Sequence, residues 1–241
     1  MKSPATQPAA RALFAAVSLL ALQPSRGDLG AALRRRGGGG APASPSLPAG
    51  PLVVRLERVE AQSHGGRHQH TKDSFYVGNV SIGHPPQRLQ VLFDTASGHV
   101  LVPHRACKSR ACLKHRRYSP WESSTSMDVN PDGGAVQAGA RLAHGRVNRT
   151  VVTVEFAQAD LGSGEAKGVL VRDNVCLSSS GGGGRACASL AVLAATSLDD
   201  EPFAAMPHDG VLGLALEGLG AGALSSFFER LMDSSHRLLP Q

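Results

Sequence analysis

The stretch Phe93-Asp94-Thr95-Ala96-Ser97-Gly98-His99-Val100-Leu101-Val102-Pro103 places one carboxylate in a turn of small residues between two apolar runs. Apolar side chains occupy positions 89, 91 and 93 before the turn, and an aliphatic run follows at 100–102, so both flanks are predicted to be strands. Asp94 is therefore expected at a strand end. A carboxylate carried into an apolar sheet must be hydrogen-bonded, because leaving it unpaired has a large desolvation cost.

Four neighbouring motifs decide between two interpretations of this turn. An Asp-Thr-x-Ser sequence alone is equally typical of an ordinary Asx or Ser/Thr turn that closes a hairpin. The neighbouring motifs are Tyr76-Val77-Gly78-Asn79-Val80-Ser81-Ile82-Gly83, then Pro85-Pro86-Gln87, a pair of cysteines at 107 and 112, and Asp209-Gly210-Val211-Leu212-Gly213-Leu214. From about Ser74 onward, the turn and these motifs together resemble the amino-terminal lobe of the pepsin-like aspartic proteases.

This resemblance implies an all-β fold, a pepsin-like acid protease lobe of mostly antiparallel strands with one short helix near the C-terminus. It makes Asp94 a catalytic carboxylate, supported by Thr95, Ala96 and Ser97. In the family, the hydroxyl at the Ser97 position bonds the carboxylate and the one at Thr95 crosses to the opposing loop. Ala96 stands where glycine is commonest, and its methyl group is tolerated if the backbone φ is negative.

The resemblance also assigns the hairpin formed by the predicted strands 151–156 and 168–175 as the flap that closes over substrate. Phe156 takes the place of the family's flap tyrosine, and Ala157 follows where the family has a glycine-rich tip. Leu101 takes the slot of the tryptophan that bonds that tyrosine. Asp209 is expected to be structural, and the strand beside the active site is expected at Val211, Leu212 and Gly213.

Four cysteines allow three pairings, and the two local ones, Cys107–Cys112 and Cys176–Cys187, are expected. The family has a small disulfide loop at the position of the first pair. No metal is expected. The run His64, His68 and His70 has no carboxylate or thiol nearby and is interpreted as a solvated loop. The resemblance calls for no cofactor.

Charge is concentrated in the first part of the chain. The net charge is +6, but residues 1–72 carry ten Lys and Arg against three Asp and Glu, and residues 73–241 carry fifteen against sixteen. This distribution argues against a nucleic-acid partner. Residues 1–23 are interpreted as a signal peptide because their apolar run is too short to span a membrane. Residues 24–72 form a basic Gly/Pro-rich leader or propeptide with a strand predicted at 52–59, and residues 73–241 form the lobe.

The predicted function is that of an aspartic endopeptidase that hydrolyses a peptide or protein substrate with water activated between two carboxylates. No second Asp-Thr/Ser-Gly motif follows, and Asp233-Ser234-Ser235 is interpreted as a helix-end cap. The chain is therefore expected to be a fragment of a bilobal enzyme, and a second lobe or second subunit is required. A single-lobe homodimer and a catalytically inactive peptide-binding or inhibitor protein are the alternatives.

The expected location is the secretory pathway, with the protein secreted or held in an acidic vacuolar or lysosomal compartment. Four cysteines and two glycosylation sequons, at Asn79 and Asn148, are compatible with an oxidising compartment. No apolar run outside the amino terminus is long enough to cross a membrane.

Overall fold

A computed structural model describes residues 53–62, 72–136, 149–158, 162–180 and 184–236. Within these ranges the chain forms nine strands and two α-helices. The strands are β1 (Glu57–Gln62), β2 (Lys72–Ile82), β3 (Gln87–Asp94), β4 (Val100–Pro103), β5 (Met127–Asp128), β6 (Val152–Gln158), β7 (Gly162–Ser178), β8 (Arg185–Leu198) and β9 (Gly210–Gly213). The helices are α1 (Arg110–Lys114) and α2 (Phe227–His236).

Six of the strands close into a barrel. The hydrogen-bonded order is β2, β3, β9, β4, β8 and β7, and β7 returns to β2 through the pairs Ser81↔Cys176 and Ile82↔Val175. The β3–β9 and β4–β8 pairs are parallel, and the other neighbours are antiparallel. Strands β5 and β6 both pair with β7. The predicted all-β fold is confirmed.

The core lies inside this barrel and under its flanks. The central part of β8, residues 190–195, is buried on both faces, which explains why it is a continuous apolar run with no polar alternation. One buried polar network crosses the core. Tyr118 donates to Asp173 at 2.6 Å, and Thr125 donates to the other carboxylate oxygen at 2.5 Å. Burial and this bond raise the pKa of Tyr118 far above its usual value, so it remains a donor.

The helices add detail to the sequence prediction and correct it in part. The predicted helix near the C-terminus runs from Phe227 to His236, and Leu224 lies outside it because its φ of 63° is a conformation that an α-helix excludes. Asp233 lies inside this helix and pairs with Arg230 at 2.7 Å, so the interpretation of residues 233–235 as an end cap was wrong. A short helix, α1, contains Cys112 of the first disulfide and was not predicted from the sequence.

The segment that the sequence assigns to a leader contains a strand of the sheet, β1, which begins five residues later than predicted. β1 pairs with β2 along its whole length, from Glu57↔Val77 to Gln62↔Lys72. Residues 53–56 precede it, and Ser180 donates its N–H to the Val53 carbonyl at 2.8 Å. The end of the assigned leader and the start of the assigned lobe therefore share one ladder.

Both expected disulfides are present, Cys107–Cys112 and Cys176–Cys187. In the described part of the chain, no group of side chains is suited to hold a metal ion, and no helix has the length and apolar character of a membrane span. The histidines at 64, 68 and 70 and the sequon at Asn148 lie outside the described residues. Asn79 is exposed in the middle of β2, and its glycosylation stays a prediction.

A buried histidine lies at the base of the barrel. His208 is 3% exposed and packs against Phe75 with the ring centroids 5.7 Å apart. The ionisable side chains that act on His208 through their charge are His115 and Asp209. Burial lowers the pKa of His208 to about 4, with a smaller contribution from the nearby His115, and the Gly210 backbone and Asp209 oppose this change. His208 is therefore neutral in the folded protein at pH 7.

This burial predicts that the fold loses stability in acid. The unfolded chain takes up a proton at His208 as the pH falls below 6.5, whereas the folded chain does so only near pH 4. The stabilisation is complete above pH 6.5 and is lost as the pH falls through this window. We expect His208→Phe to reduce the difference in unfolding free energy between pH 7 and pH 4.5 by about 2 kcal/mol, measured by urea denaturation. His84→Gln, at an exposed turn, is the control and should leave that difference as it is.

Candidate active site

Asp94 is the last residue of β3, and β9 holds it in place. In the parallel ladder Asp94 lies opposite Gly213, and the next residue, Leu214, donates its N–H to the Asp94 carbonyl at 2.7 Å. The preceding residue, Phe93, pairs with Leu212. The Asp94 side chain is half-buried. The strand end predicted from the sequence is where the structure places this carboxylate.

Three further backbone bonds fix the turn that follows Asp94. Ala215 donates to the Ser97 carbonyl, Gly213 donates to the His99 carbonyl, and Gly98 donates to the Leu219 carbonyl, each at 2.9 Å. The turn is therefore bound on both sides by the segment that begins with β9. Because these contacts join main-chain atoms, the position of Asp94 depends on the path of the backbone more than on any one side chain.

The side chains of the turn only partly follow the expectation. The Asp94 carboxylate accepts the Ala96 N–H at 2.9 Å, which is an Asx turn. Ala96 has a negative φ, since Leu224 is the one non-glycine residue with positive φ in the described ranges. The Ser97 hydroxyl is buried and makes no hydrogen bond within the described part of the chain, so its expected bond to Asp94 is not formed. Thr95 is exposed.

The hairpin that the resemblance assigns as the flap is present, its role as a flap stays a prediction, and its aromatic residue faces inward. β6 and β7 pair from Val152↔Gly168 to Gln158↔Gly162, with Phe156 opposite Gly164 and Ala157 opposite Ser163. Phe156 is 6% exposed and packs edge-on against Phe203, with the ring centroids 5.5 Å apart. The ring thus belongs to the core. Leu101, in the slot of the family's tryptophan, is also buried.

His99 is the residue of this site that the sequence reasoning did not single out. It is 7% exposed, and its ring meets Phe156 edge-on with the centroids 6.1 Å apart. Burial lowers the pKa of His99, while the Leu219 backbone and the charge of Asp94 oppose this effect. The sequence offered one signal for His99: an ionisable side chain directly before an aliphatic strand and five residues after Asp94.

Asp209 is structural, as expected, and lies at the other end of the β3–β9 pair. One of its carboxylate oxygens accepts the Gln90 N–H at 2.9 Å, and the other accepts the Arg116 N–H at 2.9 Å. Its own N–H donates to the Gln90 carbonyl at 2.7 Å. Asp209 therefore aligns β9 with β3, and Val211, Leu212 and Gly213 follow as the buried strand beside the site.

A six-stranded barrel that presents an Asp-Thr-x-Ser turn from a parallel strand pair, with a hairpin beside it, defines the class of aspartic protease lobes. Residues 75–161 match the family model described as eukaryotic aspartyl protease. Similar proteins include pregnancy-associated glycoprotein 2 of Bos taurus, 30% identical over 159 residues, pepsin-2B of Gadus morhua, 30% identical over 164 residues, and gastricsin of Homo sapiens, 41% identical over 86 residues.

The chain belongs to the pepsin-like family of aspartyl proteases. The three matches cover 66%, 68% and 36% of this chain. They cover 34%, 41% and 22% of the respective relatives. The bovine and cod matches thus span about a third to two fifths of the length of those curated relatives.

Gly213 is predicted to be indispensable to the turn. A Cβ atom at this position would meet the Ser97 carbonyl oxygen and would lie 2.5 Å from the His99 backbone nitrogen, so the β9 backbone would have to move away from the turn. We expect Gly213→Ala to lower the free energy of unfolding by about 3 kcal/mol. Gly218→Ala is the matched control, because its Cβ would meet no atom within 4 Å. Equal unfolding midpoints for the two variants in urea would contradict this role.

Proposed function

We propose that this protein is an aspartic endopeptidase and that Asp94 supplies one of the two carboxylates of its active site. The observation that carries the proposal is the geometry of Asp94: it is half-buried at the end of a parallel strand pair, and backbone bonds fix the turn after it. A group that must hold a reacting water needs this kind of rigid support. The family assignment adds to the argument.

The chemistry follows from two carboxylates that share one proton. Two carboxyl groups a few ångströms apart do not both ionise, because their negative charges repel each other. One is therefore ionised and the other protonated over the working pH range. The ionised group takes a proton from the bound water, and the protonated group donates to the carbonyl of the scissile peptide bond. In this proposal the second carboxylate comes from a second lobe or from a second subunit that packs against the Asp94 turn.

A peptide-binding protein that does not cleave is the second candidate. One observation favours it: Phe156, in the place of the flap tyrosine, is buried against Phe203 and His99. A ring held in the core brings no hydroxyl to the space above Asp94. The two candidates share the fold and differ in whether bound peptide is hydrolysed.

For the environment of the protein we propose the secretory pathway. The apolar run in residues 12–22 and the two disulfides support this location, because disulfides persist in oxidising compartments. The leader, with ten basic residues against three acidic ones in residues 1–72, is proposed to precede the mature enzyme.

The test is Asp94→Asn in the full protein together with its second lobe or subunit. We expect loss of acid-dependent, pepstatin-sensitive cleavage of a peptide library by a factor of at least about 10³, because the variant has no ionised base at this position. Asp200→Asn is the control. Asp200 is exposed, and its carboxylate lies 3.9 Å from the Arg110 guanidinium. It is far from the Asp94 turn in sequence, so the Asp200→Asn variant should cleave like the wild type.

Unchanged cleavage by Asp94→Asn would refute the assignment. Binding of the inhibitor without cleavage by the wild-type protein would favour the peptide-binding candidate. Sedimentation equilibrium distinguishes a second lobe from a second subunit, because the active species has twice the mass of one chain only if it is a homodimer.

A further inference from the structure

A large open cavity lies at the end of β3 opposite to Asp94. Its volume is about 950 Å³, which is within the range of ligand-binding pockets. Arg88 and Gln90 line it, six and four residues before Asp94 in the same strand. At about 3.3 Å per residue, their backbones lie about 20 and 13 Å from that of Asp94, so this cavity is distinct from the proposed active site.

Strands β2, β3 and β7 form the floor of the cavity with polar side chains. β2 and β3 contribute opposed residues, which project from the same face of an antiparallel pair. These pairs are Ser81↔Arg88 and Asn79↔Gln90. β7 pairs with β2 beside Ser81 and contributes Ser178. The floor therefore offers hydroxyl and amide groups on a surface that the sheet holds in place.

Residues 54–57 form one wall of the cavity, and contacts with the barrel hold this wall. The N–H of Arg55 donates to the Ser180 hydroxyl at 2.6 Å. The Leu56 side chain lies directly over β2, since a Cβ atom on Gly78 would be 2.9 Å from its Cδ2. The cavity is thus bounded by a sheet on one side and by a fixed segment on the other.

Positive charge is concentrated in this cavity. Four arginines and one glutamate line it: Arg55, Arg88, Arg116, Arg185 and Glu57. Within the described ranges, none of the four arginines forms an ion pair. The Arg185 guanidinium is held in place by the disulfide between β7 and β8, with its nitrogens 3.0 and 3.2 Å from the two sulfur atoms. The cavity therefore holds several guanidinium groups without a matching anion.

The other segments of this sequence do not supply the matching charge. The residues outside the described ranges carry ten Lys and Arg against two Asp and Glu, Asp28 and Asp160. Such segments are repelled by a cavity with four arginines, because like charges raise the free energy of the bound state. An anionic ligand from another molecule fits the site better than the basic leader does.

The lining distinguishes between classes of anion. A guanidinium group binds a carboxylate or a phosphate through two parallel hydrogen bonds. No aromatic side chain is among the lining residues in the described part of the chain, so a nucleobase finds no stacking surface. Leu56 and Pro86 add apolar surface, which suits aliphatic side chains and is left uncovered by a small inorganic polyanion. The amide and hydroxyl groups of the floor can bond to a peptide main chain.

We propose that this cavity is a binding site for an acidic peptide segment of another protein, with Arg55, Arg88, Arg116 and Arg185 as the groups that bind its carboxylates. The site goes beyond the proposed endopeptidase function and does not depend on it. The proposal requires Asn79 to carry no glycan, because a glycan there would occupy the floor of the cavity.

The test is binding of a fluorescein-labelled peptide of glutamate and leucine residues to the full chain at pH 7, followed by fluorescence anisotropy. We expect Arg88→Gln and Arg116→Gln, on two different elements, each to weaken binding by a factor of at least about five, because each removes a charged donor. Arg105→Gln is the matched control, since Arg105 is exposed and does not line the cavity. Its affinity should equal that of the wild type.

Two further measurements define the ligand class. Raising the ionic strength from about 0.1 M to about 1 M should weaken binding, because the screening length falls from about 10 Å to about 3 Å. The same peptide with glutamine in place of glutamate should not bind. Inositol hexakisphosphate is tested as the competing polyanion without apolar groups, and we expect it to bind more weakly than the acidic peptide.

The outcomes separate this inference from the proposed function. Asp94→Asn should bind the acidic peptide like the wild type, whether or not it cleaves other peptides, and a loss of binding in this variant would place the peptide at the Asp94 turn and overturn the proposal. Equal affinities of the wild type, Arg88→Gln and Arg116→Gln would also overturn it. Tighter binding of inositol hexakisphosphate than of the peptide overturns the ligand class, and a glycan found on Asn79 by mass spectrometry overturns the site.

Discussion

The parallel pairing of β3 with β9 is the constraint on which the site depends. Two points fix this pair: Asp209 bonds both backbone groups of Gln90 at one end, and the residues from Gly213 to Ala215 bond the carbonyls of the Asp94 turn at the other. The backbone of Ser97 and His99 in the turn lies so close to Gly213 that no side chain fits there. Helix α2 supports the far side, because Ser226 at its start donates to the Ala215 carbonyl at 3.0 Å. The carboxylate is thus positioned by main-chain bonds that run from the barrel to the helix.

The polar groups of the interior fall into two sets with different physical meaning. Tyr118, Thr125 and Asp173 satisfy one another, as expected for a network that fixes a single arrangement of the core. A second set is buried without such partners in the described ranges: Ser97, His99, Ser119, Arg149, His208 and Ser225. Two of these six, Ser97 and His99, belong to the Asp94 turn, and the other four lie elsewhere in the fold.

The sequence predicted those parts of the structure that short, local motifs determine. The Asp94 turn, the strand at 211–213 and the local cysteine pairs each depend on residues close together in the chain, and the structure has all of them. The inward orientation of the Phe156 ring could not be predicted from the sequence. It depends on Phe203 and His99, which are distant in sequence and meet the ring only in the closed barrel.

The start of helix α2 and the burial of His99 were missed for a related reason. The periodicity of residues 224–231 fits a helix, but the positive φ of Leu224 results from packing and excludes that residue from it. His99 looks like one polar residue among small ones in the sequence. Its burial and its contact with Phe156 of β6 arise only in the folded chain.

The pairing of β1 with β2 has a consequence for the integrity of the sheet. β3 pairs with β2 only from Val77 onward, so the first five residues of β2, 72–76, have β1 as their ladder partner. A polypeptide beginning at residue 73 would leave these amide groups facing water along a bare edge. Such edges are where β proteins associate with one another and form aggregates. β1 therefore covers the first part of β2 and removes a free edge at which chains could associate.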